Sequence, residues 1–328
     1  MKLVSIAALI AVAVGCSSHA DSSYAQLSAP SGNLKIFGPF VHEHLALYVV
    51  EDPAAKSAGE FITLAEGLAS GEVKVGEKKN AQVSELLIEN ASGKPCFVQA
   101  GDVVKGGQQD RTIARDFVIP PHTPPSPIAS FCVEQSRWHG KKQFEASTQN
   151  AYGKDLKLAV QQKKHQGAVW EQVAGNKKRL VDNNGLPASK STSLNEELDD
   201  AKLQERLKAF KESLAKLVEG RPHAVGLIAA VNGRFTTADV YADPGLFRTL
   251  FPRLLESASL EALTLKPEGK AAPAGAQAAS FLGEAEKGTS TNEKIREGLE
   301  ANTIDNDKSV QFDYRWKNES LHRQTLSK

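Results

Sequence analysis

The chain has 328 residues, 41% hydrophobic and 24% charged, a globular composition able to bury one large core or two modest ones. Its 40 Lys+Arg against 39 Asp+Glu leave a formal charge of +1, which excludes a global basic field that would recruit nucleic acid. No nucleic-acid partner is expected.

Residues 1–20 read as a targeting segment. Lys2 supplies the positive charge, and the apolar run 3–14 is too short to span a bilayer comfortably. Ala13-Val14-Gly15-Cys16 resembles a bacterial lipobox and points to lipidation at Cys16, while Ser18-His19-Ala20 offers ordinary signal cleavage as the alternative. The chain is therefore expected to be exported to the bacterial cell envelope, held on the membrane through an N-terminal lipid anchor, or else periplasmic or secreted. Residues 21–32 would be a polar tether and 33–265 the main domain.

Residues 34–50 are rich in strand formers and broken by Gly38-Pro39, which predicts two strands or one bent strand. Thr63 with Glu66 makes a capping box, and Gly71 ends the short helix that follows. Residues 83–89 and 96–99, joined by a turn at 90–95, predict a β-hairpin. Beyond Gly106-Gly107, residues 111–119 predict another strand. The proline-rich 120–127 cannot join a central sheet, and 128–134 resumes the extended pattern.

Residues 143–190 are polar, with Trp170 beside Val169 and Val173 as their anchor, and predict helix and loop over the sheet. Ser193 with Glu196 predicts a second capping box. Leu203, Leu207, Phe210, Leu214 and Leu217 then form the stripe of an amphipathic helix ending at Gly220. Asn232-Gly233 between two apolar runs predicts a type I′ hairpin. Asp243-Pro244 caps a helix that Pro252 must kink or split. Residues 266–308 read as flexible linker and tail, and 309–328 as a C-terminal edge strand and tail. The fold class is α+β: a β-rich core covered by amphipathic helices, in one main domain.

Chemistry concentrates in residues 102–138. Gly106-Gly107 permits positive φ and an anion nest, or is a plain turn. Gln109, Arg111, Glu134 and Arg137 would converge if their strands are neighbours. Two arginines would then suit a phosphate or carboxylate, Glu134 would be the acid-base candidate, and Trp138 could stack on a base or sugar. The competing reading is an ion-pair layer that serves the fold. Cys96 and Cys132 could close a disulfide or lie separately as small buried side chains. His42 and His44, two apart on a predicted strand, would share a face, but no third ligand is visible and no metal is expected. His122 and His139 could bring a base near Asp102 or Glu134. There is no GxSxG elbow, no phosphate loop and no sign of a cofactor.

The strings Gly106-Gly107-Gln108-Gln109-Asp110-Arg111 and Cys132-Val133-Glu134-Gln135-Ser136-Arg137-Trp138, supported by residues 61–71, Trp170 and residues 225–263, resemble a poorly characterised domain family. That family is named for its association with ADP-ribosylglycohydrolases and rhodanese-phosphatases. The resemblance covers most of residues 34–265 and implies a neighbourhood of small phosphorylated or nucleotide-derived ligands. The expectation is a ligand-binding or scaffold module with its site around Gly106, Gly107, Gln109, Arg111, Glu134, Arg137 and Trp138. The alternative is a hydrolase or transferase acting on a nucleotide-sugar or ADP-ribose-like ligand, with Glu134 as its acid-base group.

Overall fold

The computed structural model describes residues 24–26, 34–56, 60–78, 84–135, 144–187, 191–194, 198 and 200–328. Cys16, Arg137, Trp138, His139 and Glu196 lie outside them, as do the expected signal segment and most of the expected tether.

The architecture is α+β. The largest sheet holds nine strands in the order β1 (Tyr24–Gln26), β2 (Lys35–His42), β3 (Leu45–Glu51), β13 (Ala224–Val231), β14 (Arg234–Tyr241), β18 (Glu319–Ser327), β17 (Ser309–Trp316), β16 (Leu299–Asp305) and β15 (Thr289–Arg296). Every neighbouring pair in it is antiparallel. In β3 alternate residues Leu45, Leu47 and Val49 enter one core and Ala46, Tyr48 and Val50 another, so the strand is buried on both faces. The second core is closed by α6 (Gly275–Ala285), through Ala278, Ala279 and Leu282.

The opposite face carries α4 (Ala201–Leu214), α5 (Pro244–Leu263) and two further sheets. Six strands run in the order β12 (Phe144–Asn150), β8 (Asp102–Gly106), β9 (Arg111–Ile113), β11 (Thr123–Cys132), β6 (Glu85–Asn90), β5 (Val73–Gly76). Three run in the order β10 (Phe117–Ile119), β7 (Cys96–Val98), β4 (Ile62–Thr63). α1 (Leu64–Ser70) packs against both of these sheets, while α2 (Lys154–Leu158), running into a π-helix (Ala159–Lys163), packs on β18 and α3 (Gln166–Asn184) on β11.

Several local expectations are met. Thr63 and Glu66 cap each other across α1, and Gly71 closes it in the left-handed conformation. Asn232 and Gly233 both take positive φ at the β13–β14 turn. The Asp243 side chain accepts from the Gly245 and Leu246 amides at the start of α5.

Other expectations are corrected. Residues 85–90 and 96–98 do not form a hairpin, because β6 and β7 belong to different sheets. The Asn90 amide diverts the chain there, donating to the carbonyls of Lys94, Ile119 and Pro120 at 2.8, 3.0 and 3.0 Å. Asn90→Leu is expected to cost about 2–3 kcal/mol by orphaning the buried Ile119 carbonyl and the buried Ser92 donors that the Asn90 oxygen accepts, as urea denaturation would measure. Residues 111–119 are two strands, with Asp116 at the corner between them. The proline-rich stretch does join a sheet. It pairs only with β6, through a bulge between Thr123 and Ser126, and β11 meets β9 from Ser130 onward, so the prolines need no second partner.

α4 is capped by Asp200 and begins later than the Ser193 box implied. α5 runs through Pro252 as one helix. The stretch 266–308 is no linker throughout: α6 buries its alanines, and β15 and β16 extend the sheet. β17 is an interior strand between β16 and β18, not an edge. Cys96 and Cys132 sit in different sheets, and both thiols are free and buried, so no disulfide joins them. No helix among the described residues is long and apolar enough to cross a membrane.

Candidate functional site

The fold does bring Gly106, Gly107, Gln109, Arg111 and Glu134 together. β8 and β9 pair antiparallel around residues 107–110, and β11 delivers Cys132 opposite Arg111, with Glu134 two residues on. Gly106 and Gly107 both take positive φ. A Cβ at Gly107 would lie 2.2 Å from the Phe144 ring and 2.8 Å from Glu77 Oε1, so protein atoms fill the space directly over this glycine.

Arg111 is only 1% exposed. Its Nη1 donates to the Cys132 sulfur at 2.7 Å and to the Gln109 backbone and side-chain oxygens at 3.3 and 3.4 Å. Its Nη2 lies 3.7 Å from Glu77, which also accepts the Gln108 amide at 2.9 Å. The Asp110 carboxylate accepts from the Gly106 amide at 3.0 Å and from the Ser193 hydroxyl at 3.2 Å, while Glu134 accepts the Asp110 amide at 3.3 Å. Burial pushes the Cys132 thiol up to about 11 despite the Arg111 cation beside it. These groups brace one another and the loops that carry them. Arg137 and Trp138 are outside the described residues.

Immediately beside this cluster is a cleft of about 390 Å³, lined by Gln135, Trp170, Val173, Ala174, Val181 and Thr192 among others. Its walls are α3 and the segment that follows it. Lys177 fixes that segment by donating to the Ser191 and Ser193 carbonyls at 2.6 and 2.8 Å, and the Gln135 amide donates to the Thr192 hydroxyl at 3.0 Å. Lys178, also in the lining, pairs with Asp182 at 2.6 Å. The Trp170 indole N–H is buried without a hydrogen-bond partner among the described residues. An apolar wall with one unused donor is the composition of a small-molecule site.

A second polar constellation, which the sequence reading did not find, joins all three sheets. His322 on β18 is fully buried between Asp116, whose Oδ2 is 2.6 Å from Nδ1, and Asp239 of β14, whose Oδ1 is 3.2 Å from Nε2. Tyr241 stacks on its ring at 4.3 Å. Gln324 donates to Asp239 at 2.6 Å, and Gln161 of the π-helix accepts from the Tyr314 hydroxyl at 3.0 Å.

Burial disfavours the imidazolium, but the two carboxylates outweigh it and push His322 up to about 9. Asp239, though buried, is held below the usual carboxylate range by Lys157, His322 and Gln324. Burial raises Asp102 against the pull of Arg253, 3.4 Å away. The hub's only trace in the sequence is polar residues at inward positions of alternating strands: Asp239 between Thr237 and Tyr241, and Gln324 after His322.

The remaining candidates are dispersed. His42 meets the Phe210 ring edge-on at 4.5 Å, and His44, beyond the turn, donates to the Ala262 carbonyl at 2.9 Å. They do not share a strand face, because Glu43 at positive φ turns the chain between them. His122 is exposed. No three His, Cys, Asp or Glu side chains among the described residues are grouped to hold a metal.

A family model described as the ARG and Rhodanese-Phosphatase-superfamily-associated Protein domain matches residues 33–326. No curated protein and no solved structure matches the chain.

Proposed function

The chain belongs to the ARG and Rhodanese-Phosphatase-superfamily-associated protein family across residues 33–326, and from that premise we propose that it is an exported, lipid-anchored binding module for a small nucleotide-derived ligand. The ligand occupies the cleft between α3 and residues 191–192. The observation that carries this reading is the division of labour at residues 106–134. Arg111 and Glu134 are engaged by protein groups, while the open space lies next to them, against Trp170, Val173 and Val181.

A flat group such as a nucleobase lies against those side chains and accepts from the Trp170 N–H. A phosphate extends outward to Lys178, which is exposed at the rim. The 106–134 network sets the position of Gln135 and, through Asp110 and Ser193, of the cleft's far wall.

The test is thermal-shift screening against nucleotides, ADP-ribose, sugars and phosphorylated metabolites, with Ala174→Trp filling the cleft from its exposed rim. A ligand at a hundredfold excess over its Kd contributes about 2.7 kcal/mol, which raises the Tm by roughly 5 °C for a domain of this size. The expected result is such a rise in the parent and none in Ala174→Trp, with the unliganded Tm values alike. An equal rise in both proteins would place the ligand elsewhere. Turnover of the stabilising ligand would convert the binder into the hydrolase or transferase alternative.

A further inference from the structure

We infer that one end of the nine-stranded sheet, carrying the β2–β3 and β13–β14 tips, is a docking face for an anionic bilayer surface. The inference rests on the lipid-anchor reading above for its geometry. β1 takes residues 24–26 into the sheet, leaving only seven residues, 17–23, between Cys16 and the first strand. Seven residues reach at most about 25 Å, about half the roughly 50 Å diameter of a domain this size. A leash that short cannot let the domain tumble freely above a membrane.

β1 also sets the direction of approach. Tyr24 lies opposite Phe37 and Gln26 opposite Lys35, so the chain enters β1 from the side of the His42–His44 tip.

At that end several elements finish together. Leu45 pairs with Val231, the Asn232 amide donates to the His44 carbonyl at 2.9 Å, and His44 reaches the Ala262 carbonyl near the end of α5. Asn232 fastens the chain beyond α5 by donating to the Lys266 carbonyl and accepting the Glu268 amide. Arg206 of α4 joins the group through Glu43 at 3.2 Å and through Asn184, whose amide reaches the Leu263 carbonyl.

The composition of this surface identifies its occupant. Val41 and Leu265, 51% and 37% exposed, are the two large apolar side chains most open to solvent among the described residues, and both lie here. The same end of the sheet carries Lys202, Arg206, Arg234, Lys266 and Lys270. Glu43 pairs with Arg206, and Glu268 with Lys270 at 2.6 Å and Arg234 at 3.8 Å. Asp200 is taken up capping α4. Lys202 turns to the Gly185 carbonyl at 3.5 Å, and Lys266 makes no ion pair among the described residues. Exposed apolar side chains at the same end as an excess of cations suit the headgroup region of an acidic membrane, where each Lys or Arg adds attraction.

The experiment follows amide hydrogen exchange by mass spectrometry. The full chain is placed in vesicles of phosphatidylcholine with phosphatidylglycerol, in vesicles of phosphatidylcholine alone, and in detergent. Exchange at residues 42–44, 232–234 and 264–270 is expected to slow severalfold in the acidic vesicles only. Lys202→Glu/Lys266→Glu, two surface changes that leave the core intact, should abolish that protection. Protection elsewhere on the domain, none at all, or protection that survives the double charge reversal would overturn the docking face. The N-terminal mass of the same sample reads the Cys16 lipid separately. A lipidated protein with no protection keeps the anchor and loses the face, whereas an unlipidated protein protected on acidic vesicles keeps the face and loses the anchor.

Discussion

His322→Gln is expected to lower the free energy of unfolding by about 3–5 kcal/mol at neutral pH, read by urea denaturation. The imidazolium sits between Asp116 and Asp239, and both acids are almost wholly buried. A neutral amide leaves two carboxylates facing each other with one countercharge fewer, in a region where charges are poorly solvated. Lys157 and Gln324 still stabilise Asp239, so Asp116 is the group left exposed to the deficit.

The pH dependence separates this charge effect from simple loss of packing. The folded-state value of about 9 lies above the ordinary 6.5. The contribution, about 3 kcal/mol at 1.36 kcal/mol per unit, is therefore complete below pH 6.5 and is lost as pH rises through 9. Asp239 works in the opposite sense: its lowered value gives stability that is present above the ordinary carboxylate range and is lost in acid. The parent should thus weaken on the alkaline side more than His322→Gln does, and the two curves should converge there. A gap of constant size across the whole range would mean that His322 acts by shape and not by charge.

How much of this was legible in the sequence depended on the distance over which each feature is encoded. The Thr63–Glu66 cap, the Asn232-Gly233 turn, the Asp243 cap and the Leu203–Leu207–Phe210–Leu214 stripe are all specified within a few residues, and each appears as read. Residues 85–98 misled because a turn-like 90–95 resembles a hairpin loop, while the Asn90 side chain's bonds to Ile119 and Pro120 decide the sheet change from far along the chain. α6 was hidden in a Gly-, Ala- and Pro-rich stretch because its buried stripe, Ala278, Ala279, Leu282 and Ala285, is mostly alanine and is held by packing on the sheet. β15 is polar and exposed along most of its length, so no alternation announces it. From strand order, Gln109, Arg111 and Glu134 would converge only if their strands were neighbours, as β8, β9 and β11 are. The His322 hub was not legible, because its members lie as far apart as Asp116 and Gln324 and carry no motif.

Arg111→Met is the variant that decides what the 106–134 cluster is for. Met keeps much of the Arg111 stem volume but removes the donors that hold Gln109 and Cys132, together with the positive partner of Glu77. The expected cost is about 3 kcal/mol, at the low end for breaking a buried pair, because the 3.7 Å approach is loose and the Glu77 side chain is 17% exposed. Glu77→Gln in the same chain removes the stranded carboxylate while leaving an oxygen to accept the Gln108 amide. The double variant should recover at least about 1 kcal/mol, a coupling typical of residues in contact. Ligand stabilisation supplies the second axis. If the cluster is a brace, a ligand that shifts the parent still shifts Arg111→Met, from a lower starting Tm, because the cleft side chains Trp170, Val173 and Val181 are untouched. If instead Arg111→Met melts within about 1 kcal/mol of the parent and no longer responds to the ligand, the guanidinium is itself the ligand contact. The site would then lie over residues 106–111 and not against α3.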